Sequence, residues 1–330
     1  MLHTMQESVP ALARIVRAVR DFFYPEPTES GYRKEDLSVH GFPVDMGKIA
    51  LATALEASVY DSDEKEILAR WGKRFDSVFV KEIPEVENRY ALFTHRRSRR
   101  QYVVIRGTAN LSNLMHDLQF LKKTDPGLKI GTHEGFMKLA RAVHADLAPR
   151  LLPGYRLHLV GHSLGAAEAV LLGMILVEEG RDVYRIITLG QPKVTDTEGW
   201  EAHRALPVVR VVTPFDPVPF LPPKSLLYRE KPYTHGSELL MLLDGNRTAA
   251  VPSSLYDDMT SALMDAWGSG KRFDIPDHQI ENYMARIEAK KNGIEPVDAK
   301  KWLDYATPTD IKLDTLGLIK EWIRGSKAGT

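Results

Sequence analysis

Cysteine is absent from the 330 residues. Disulfides, thiolate catalysis and cysteine-ligated zinc are therefore excluded, while the compartment stays open because a secreted protein need not contain cysteine. An excess of charge of one sign is also lacking: Lys plus Arg and Asp plus Glu number 44 each. No basic domain of the kind a DNA binder presents occurs, so nucleic acid is not an expected partner. The longest apolar run, Ala169 to Val177 with its neighbours, falls short of the ~20 residues that span a bilayer. Met1 to Ser30 carries Glu7 and spread arginines instead of a continuous apolar stretch ending in small residues. It is read as no signal peptide, which favours a cytoplasmic location over secretion. Fixed-period repeats and low-complexity tracts are missing as well. His133-Glu134 has no second histidine four positions after His133, so the zincin pattern fails, and no glycine-rich phosphate loop is present. No metal and no cofactor is expected.

What is present is a chain with 43% hydrophobic residues, long enough to bury a sizeable core. Val9, Leu12, Ile15, Val16, Val19, Phe22 and Phe23 recur at helical spacing opposite Arg14, Arg17 and Arg20. This predicts an amphipathic basic helix, either packed on the body or lying peripherally on an anionic membrane. After Pro25-Glu26-Pro27 the stretch to Pro43 reads as an irregular connection. Met46 to Trp71 reads as helical. Tyr90 to Thr94 and Tyr102 to Ile105 read as a hairpin whose tip carries Arg96, Arg97, Arg99 and Arg100. A helix from Glu134 to Leu152 follows, then strands at Tyr155 to Val160, Tyr184 to Leu189 and Val208 to Val212. Alternating strands and helices argue a largely parallel sheet with helices on its faces.

The centre of this pattern is Gly161-His162-Ser163-Leu164-Gly165, set between the strand ending at Val160 and an apolar helix from Leu164 to Val177. Strand, tight turn and helix are the context in which a G-x-S-x-G motif is a nucleophile elbow, with the glycines leaving room for strand and helix to approach. Leu164 would offer its backbone N–H at the positive end of the helix, where an oxyanion is stabilised. A serine hydroxyl needs a base oriented by a carboxylate. In this architecture the chain order is Ser, acid, His, so of the eleven histidines only His203, His235 and His278 qualify. Asp216 follows the strand Val208 to Val212 and a proline-rich loop stiffens what comes after it, making it the preferred acid over Asp196 and Asp244. The base is then His235 or His278. His278 is favoured because it sits in a loop just before the helix Gln279 to Glu288. Thr108, after Val103 to Gly107, could supply a second oxyanion donor, worth about 3 kcal/mol in the transition state, or could simply cap a helix. Leu111, Leu114, Met115 and Leu118 recur at i, i+3, i+4 and i+7 on one face of a short helix.

Taken together, Val104-Ile105-Arg106-Gly107-Thr108, His133-Glu134-Gly135-Phe136, Gly161 to Gly165, Gly190-Gln191-Pro192-Lys193-Val194 and Asp216 to Pro223 resemble the class 3 lipases. The resemblance covers about Leu51 to Met284 and implies an α/β-hydrolase fold: a mostly parallel central sheet, helices on both faces and a short helical lid. It implies Ser163, Asp216 and His278 as the triad, Thr108 and Leu164 as oxyanion donors and Leu111 to Phe120 as the lid. It also places Tyr233-Thr234-His235-Gly236 on a segment whose histidine is not the base. Ala166 departs from the glycine the family often has after its elbow. The expected organisation is an amphipathic extension over 1–45, a catalytic domain over 46–290 and a helical extension over 291–330 packed on it. The expected function is hydrolysis of carboxylic esters, foremost triacylglycerols, at a lipid–water interface. Phospholipase or feruloyl esterase activity on the same fold is the nearer alternative. A membrane-associated binding protein with a vestigial site is the farther one.

Overall fold

Alternate residues of the central strands point to opposite layers, and this parity organises the molecule. The computed structural model describes residues 34–61, 63–107, 121–222, 231–256 and 276–306. In chain order these open with β1 (Lys34–Val39), β2 (Phe42–Asp45), α1 (Met46–Asp61), α2 (Glu64–Trp71), β3 (Ser77–Ile83), β4 (Asn88–His95) and β5 (Arg100–Ile105). Then come β6 (Lys122–Thr124), β7 (Gly131–His133), α3 (Glu134–Leu147), β8 (Arg156–His162), α4 (Leu164–Glu178), β9 (Val183–Leu189), β10 (Thr195–Asp196), α5 (Thr197–Ala202) and β11 (Val208–Val212). The last are β12 (Tyr233–Thr234), β13 (Leu239–Leu242), β14 (Arg247–Val251), α6 (Ile280–Glu288) and β15 (Glu295–Pro296).

Among the described residues the main sheet has nine strands in the order β15-β14-β13-β11-β9-β8-β5-β4-β3. β5, β8, β9, β11 and β13 run parallel, and antiparallel pairs flank them on either side. β6, β7, β10 and β12 make a separate four-stranded sheet. The five inner strands of the main sheet are buried along their whole length. Near-continuous apolar runs such as Val208 to Val212 are what a strand covered on both faces requires.

One face of the sheet, with Val103, Ile105, Leu157, Leu159 and Ile186, packs against α3 and α4. The other, with Tyr102, Val104, Val160, Ile187 and Leu189, packs against α1, α2 and α6. α4 is buried on every side from Leu164 to Leu176, so it lacks a polar stripe and reads as an interior helix. α2 is stopped from fraying at its start by the Asp63 carboxylate, which accepts the Glu66 N–H at 2.9 Å.

Two local expectations are corrected. The stretch running to Pro43 is not an irregular connection where it is described: β1 and β2 pair around a two-residue turn, Val39 opposite Phe42. His40 and Gly41 there have φ of 51° and 71°, the positive values that two-residue hairpin turns need. His-Gly is a weaker turn signal than Asn-Gly, and Pro43 masks the strand. The basic tip is also smaller than it reads: Arg96, Arg97 and Arg99 are exposed, but Arg100 starts β5 and is fully buried. At the other end, β15 pairs in parallel with β14, and Trp302 is buried against the β13–β14 side of the molecule.

Candidate active site

At the carboxyl end of β8 the chain reverses into α4 through Ser163, whose φ of 58° and ψ of −127° lie outside the regions side-chain-bearing residues favour. The turn is held by the Ser163 N–H donating to Leu189 O at 3.0 Å and by Ala166 N–H donating to Ser163 O at 3.0 Å. Its glycines are sterically required. A Cβ on Gly161 would lie 2.2 Å from Gly165 O, and one on Gly165 would lie 2.0 Å from Ile105 O. Strand, elbow and neighbouring strand therefore meet backbone to backbone. Ala166, the departure from the family pattern, is fully buried in the first turn of α4.

The structure brings Asp216 and His278 together from positions 62 residues apart: His278 Nδ1 is 2.8 Å from each carboxylate oxygen. Asp216 emerges just beyond β11 and is completely buried. A buried carboxylate needs its lone pairs satisfied. Val218 N–H donates to Oδ1 at 2.9 Å and Tyr283 O–H to Oδ2 at 2.6 Å. Burial, together with the Asp216 charge, pushes the Tyr283 phenol well above its usual range, which keeps it a donor. The loop before α6 is tied down by Thr213 Oγ1 donating to Asp277 O at 2.6 Å. Ser163 Oγ and His278 Nε2, the atoms between which a proton would pass, are buried and make no hydrogen bond among the described residues. Without substrate such bonds are commonly long or unmade.

His162 underlies this arrangement. Its ring stacks on His278 with centroids 4.5 Å apart, its Nε2 lies 2.7 Å from the His278 carbonyl oxygen, and its Nδ1 lies 2.8 Å from the Tyr60 hydroxyl. Burial and the neighbouring His278 hold its pKa well below the ordinary histidine value. Two further buried carboxyls flank the end of β5. Glu168 of α4 accepts a bond from Asn88 Nδ2, and burial raises its pKa to about 8. Glu56 of α1 is raised well above the carboxylate range by burial, against the backbone N–H of His162, which pulls it down.

Of the other expected residues, Leu164 opens α4 directly after Ser163, with its N–H at the helix start. Thr108, Leu111, Leu114, Met115 and Leu118 lie outside the described residues. His235 is buried and donates Nε2–H to Pro219 O at 2.7 Å. Asp196 is the N-cap of α5, accepting Gly199 N–H at 3.1 Å and pairing with Lys122 at 2.9 Å. Asp244 pairs with Arg286 at 3.0 Å. Each runner-up acid is thus engaged elsewhere. Sequence reasoning missed Tyr60, Tyr283, Glu56 and Glu168. His162 alone had a signal, its place inside the elbow motif. Among the described residues no cluster of His, Asp and Glu is arranged to hold a metal ion, and no helix is long and apolar enough to cross a membrane.

A serine on a strained strand-to-helix turn, at the carboxyl end of an inner strand of a mostly parallel sheet wrapped by helices, is the arrangement of the α/β-hydrolase fold. Residues 102–226 match the family described as lipase (class 3). Over 139 residues the chain is 34% identical to a lipase of Rhizomucor miehei, covering 38% of each protein. Over 142 residues it is 30% identical to a secreted mono- and diacylglycerol lipase of Fusarium solani, covering 40% of this chain and 42% of that one. The match thus spans about two fifths of the length of these curated relatives. Among solved structures, a lipase from Rhizopus microsporus var. chinensis superposes with a TM-score of 0.51 at 22% identity, covering 66% of this chain and 81% of its own. The Rhizomucor miehei triacylglyceride lipase superposes with a TM-score of 0.50 at 21% identity, covering 59% and 79%. These likenesses show the shared fold.

Proposed function

We propose that the protein is a serine carboxylic-ester hydrolase acting on acylglycerols, foremost a triacylglycerol lipase. The observation that carries the reading is the Asp216–His278 pair, 2.8 Å apart, built on the same sheet end as the strained Ser163 elbow. In the reaction Ser163 Oγ attacks the ester carbonyl carbon while His278 Nε2 takes the hydroxyl proton. Asp216 orients the ring through Nδ1 and stabilises the imidazolium. The carbonyl oxygen becomes an oxyanion facing the Leu164 N–H, with Thr108 as the proposed second donor. Collapse of the tetrahedral species breaks the C–O bond, and His278 returns the proton to the departing alcohol. Water, deprotonated by the same imidazole, then attacks the acyl-enzyme and releases the fatty acid. Each step balances without a metal or cofactor.

The class 3 match and the names of the relatives support a lipid ester as substrate. Peripheral contact with a lipid surface through the amphipathic stretch Val9 to Phe23 belongs to the same proposal, supported by its apolar spacing and by Arg14, Arg17 and Arg20; those residues lie outside the described ones. The test is a chain-length series of p-nitrophenyl esters together with emulsified triglyceride, plus fluorophosphonate labelling. Hydrolysis of both, with labelling confined to Ser163, is expected. Labelling at another serine, or no turnover of any ester, would overturn the proposal.

A further inference from the structure

The three segments that build the site, the β5 turn, the elbow and the base loop, converge on a side chain outside all of them. Tyr60 sits in the last turn of α1, well before the residues matched to the family. Its hydroxyl is 2.8 Å from His162 Nδ1, and the two rings meet edge to face at 5.7 Å. The backbone N–H of Gly107, the residue before Thr108, faces the same phenol oxygen. A Cβ on Gly107 would come 2.4 Å from that oxygen, 2.5 Å from His162 O and 3.0 Å from Ser163 Cβ. One hydroxyl therefore touches the turn leading to the proposed oxyanion residue and the residue preceding the nucleophile.

The third segment is reached through the imidazole. The carbonyl oxygen of His278 can only accept a hydrogen bond. At 2.7 Å from it, His162 Nε2 must carry a hydrogen. A neutral ring has a single N–H, so Nδ1 is left as an acceptor and the Tyr60 hydroxyl is its donor. The tautomer of His162 is thus set from one side by Tyr60 and used on the other to hold the backbone of the base. Were the ring to take the opposite tautomer, Nε2 would present a lone pair to the His278 carbonyl and push the base loop away.

We infer that Tyr60, acting through the tautomer of His162, is a positioning residue that locks His278 into register with Ser163. This rests on the hydrolytic reading above. Among the described residues, the charged and titratable groups facing the Tyr60–His162 unit are Glu56 of α1, Arg106 beyond β5, and His278, Glu281 and Tyr283 on the α6 side. None of them offers a second donor to Nδ1 in place of Tyr60.

The experiment is a double-mutant cycle read in kcat and KM on a soluble ester. Tyr60→Phe keeps the ring and removes the donor. It should lower kcat about tenfold, the effect of one net hydrogen bond, with KM unchanged and the melting temperature little altered. His162→Gln places an amide N–H where it reaches the His278 carbonyl without help from Tyr60, so it should retain more activity than His162→Leu. In the His162→Gln background Tyr60→Phe should then cost about twofold or less, because the lost donor no longer sets a tautomer. An equal cost of Tyr60→Phe in both backgrounds, or no loss of kcat in the wild-type background, would overturn the inference. If instead the unmutated protein hydrolyses no ester, the hydrolytic reading fails by itself. Nitrogen-15 NMR of labelled histidines then still decides the tautomer: hydrogen on Nε2 of His162 supports Tyr60 as its donor, and hydrogen on Nδ1 overturns it.

Discussion

Asp216 holds His278 with both of its oxygens, each 2.8 Å from Nδ1. The same two oxygens are pinned by Val218 N–H and Tyr283 O–H. The carboxylate is thus fixed before it fixes the imidazole. Asp216→Asn would turn an amide toward Nδ1 and favour the wrong tautomer of the base. The expected loss in kcat is about 10⁴, the size seen for that change in a serine protease. Near-normal turnover by a folded Asp216→Asn protein would remove the acid from the mechanism.

Ser163→Ala should lose activity by a factor of about 10⁶ while its circular dichroism and melting temperature stay close to those of the parent. His278→Ala should be nearly as inactive. His235→Ala should instead keep most of its kcat and lose stability, because what His235 contributes is a buried bond to Pro219 O. Matched kinetics showing an inactive His235→Ala and an active His278→Ala would reverse the assignment of the base.

Gly165→Ala tests the elbow separately from the proton relay. The added methyl would overlap Ile105 O at 2.0 Å, and neither backbone can yield without shifting β5 or α4. The variant should melt lower and lose labelling by a fluorophosphonate. A fully active, fully stable Gly165→Ala protein would show that strand and helix are not in contact there.

The parts of this site readable from sequence are those whose chemistry is local. Ser163 announces itself because the motif, the strand before it and the helix after it are contiguous, and Asp216 because a β-branched run ends just before it. Chain order left both His235 and His278, and His278 was separable only by its loop position before a helix and by the family segment on which His235 falls. The sheet was legible in its centre, where Val208 to Val212 is buried along its whole length and apolar except for Arg210. It was not legible at its edges, where β3 is mostly half-buried, β14 mixes half-buried with buried residues and β15 is only two residues long. Tyr60 and Glu56 could not be read at all. In an alanine-rich helix nothing distinguishes a polar residue facing solvent from one facing the elbow, because that distinction is made by the packing of α1 on the far side of the sheet.

Glu168 gives the chain a predictable weakness at alkaline pH. It is fully buried between α4 and the sheet; Oε2 takes the Asn88 amide, and Oε1 has no partner among the described residues. Burial raises its pKa from 4.5 to about 8, with the Asn88 bond opposing. Between those values the folded protein keeps a proton that the unfolded chain has released. More protons on the folded state means that stability falls as pH rises. The loss begins above the unfolded pKa and is complete once pH passes the folded one. Glu168→Gln cannot ionise and keeps an acceptor for Asn88, so it should be spared. The gap in stability should widen to a few kcal/mol, about 1.4 for each pH step between the two pKa values. That corresponds to a melting-temperature gap on the order of 2–4 °C per kcal/mol, growing from about pH 5 to about pH 8. Other titrating groups, including the neutral His162, are common to both proteins and largely cancel in the difference. Glu56, whose pKa Glu168 also pushes up, would add to the gap in the same direction. Melting curves for the two proteins that run parallel across this range would mean that Glu168 is ionised in the fold already, with its charge compensated where the geometry shows only Asn88.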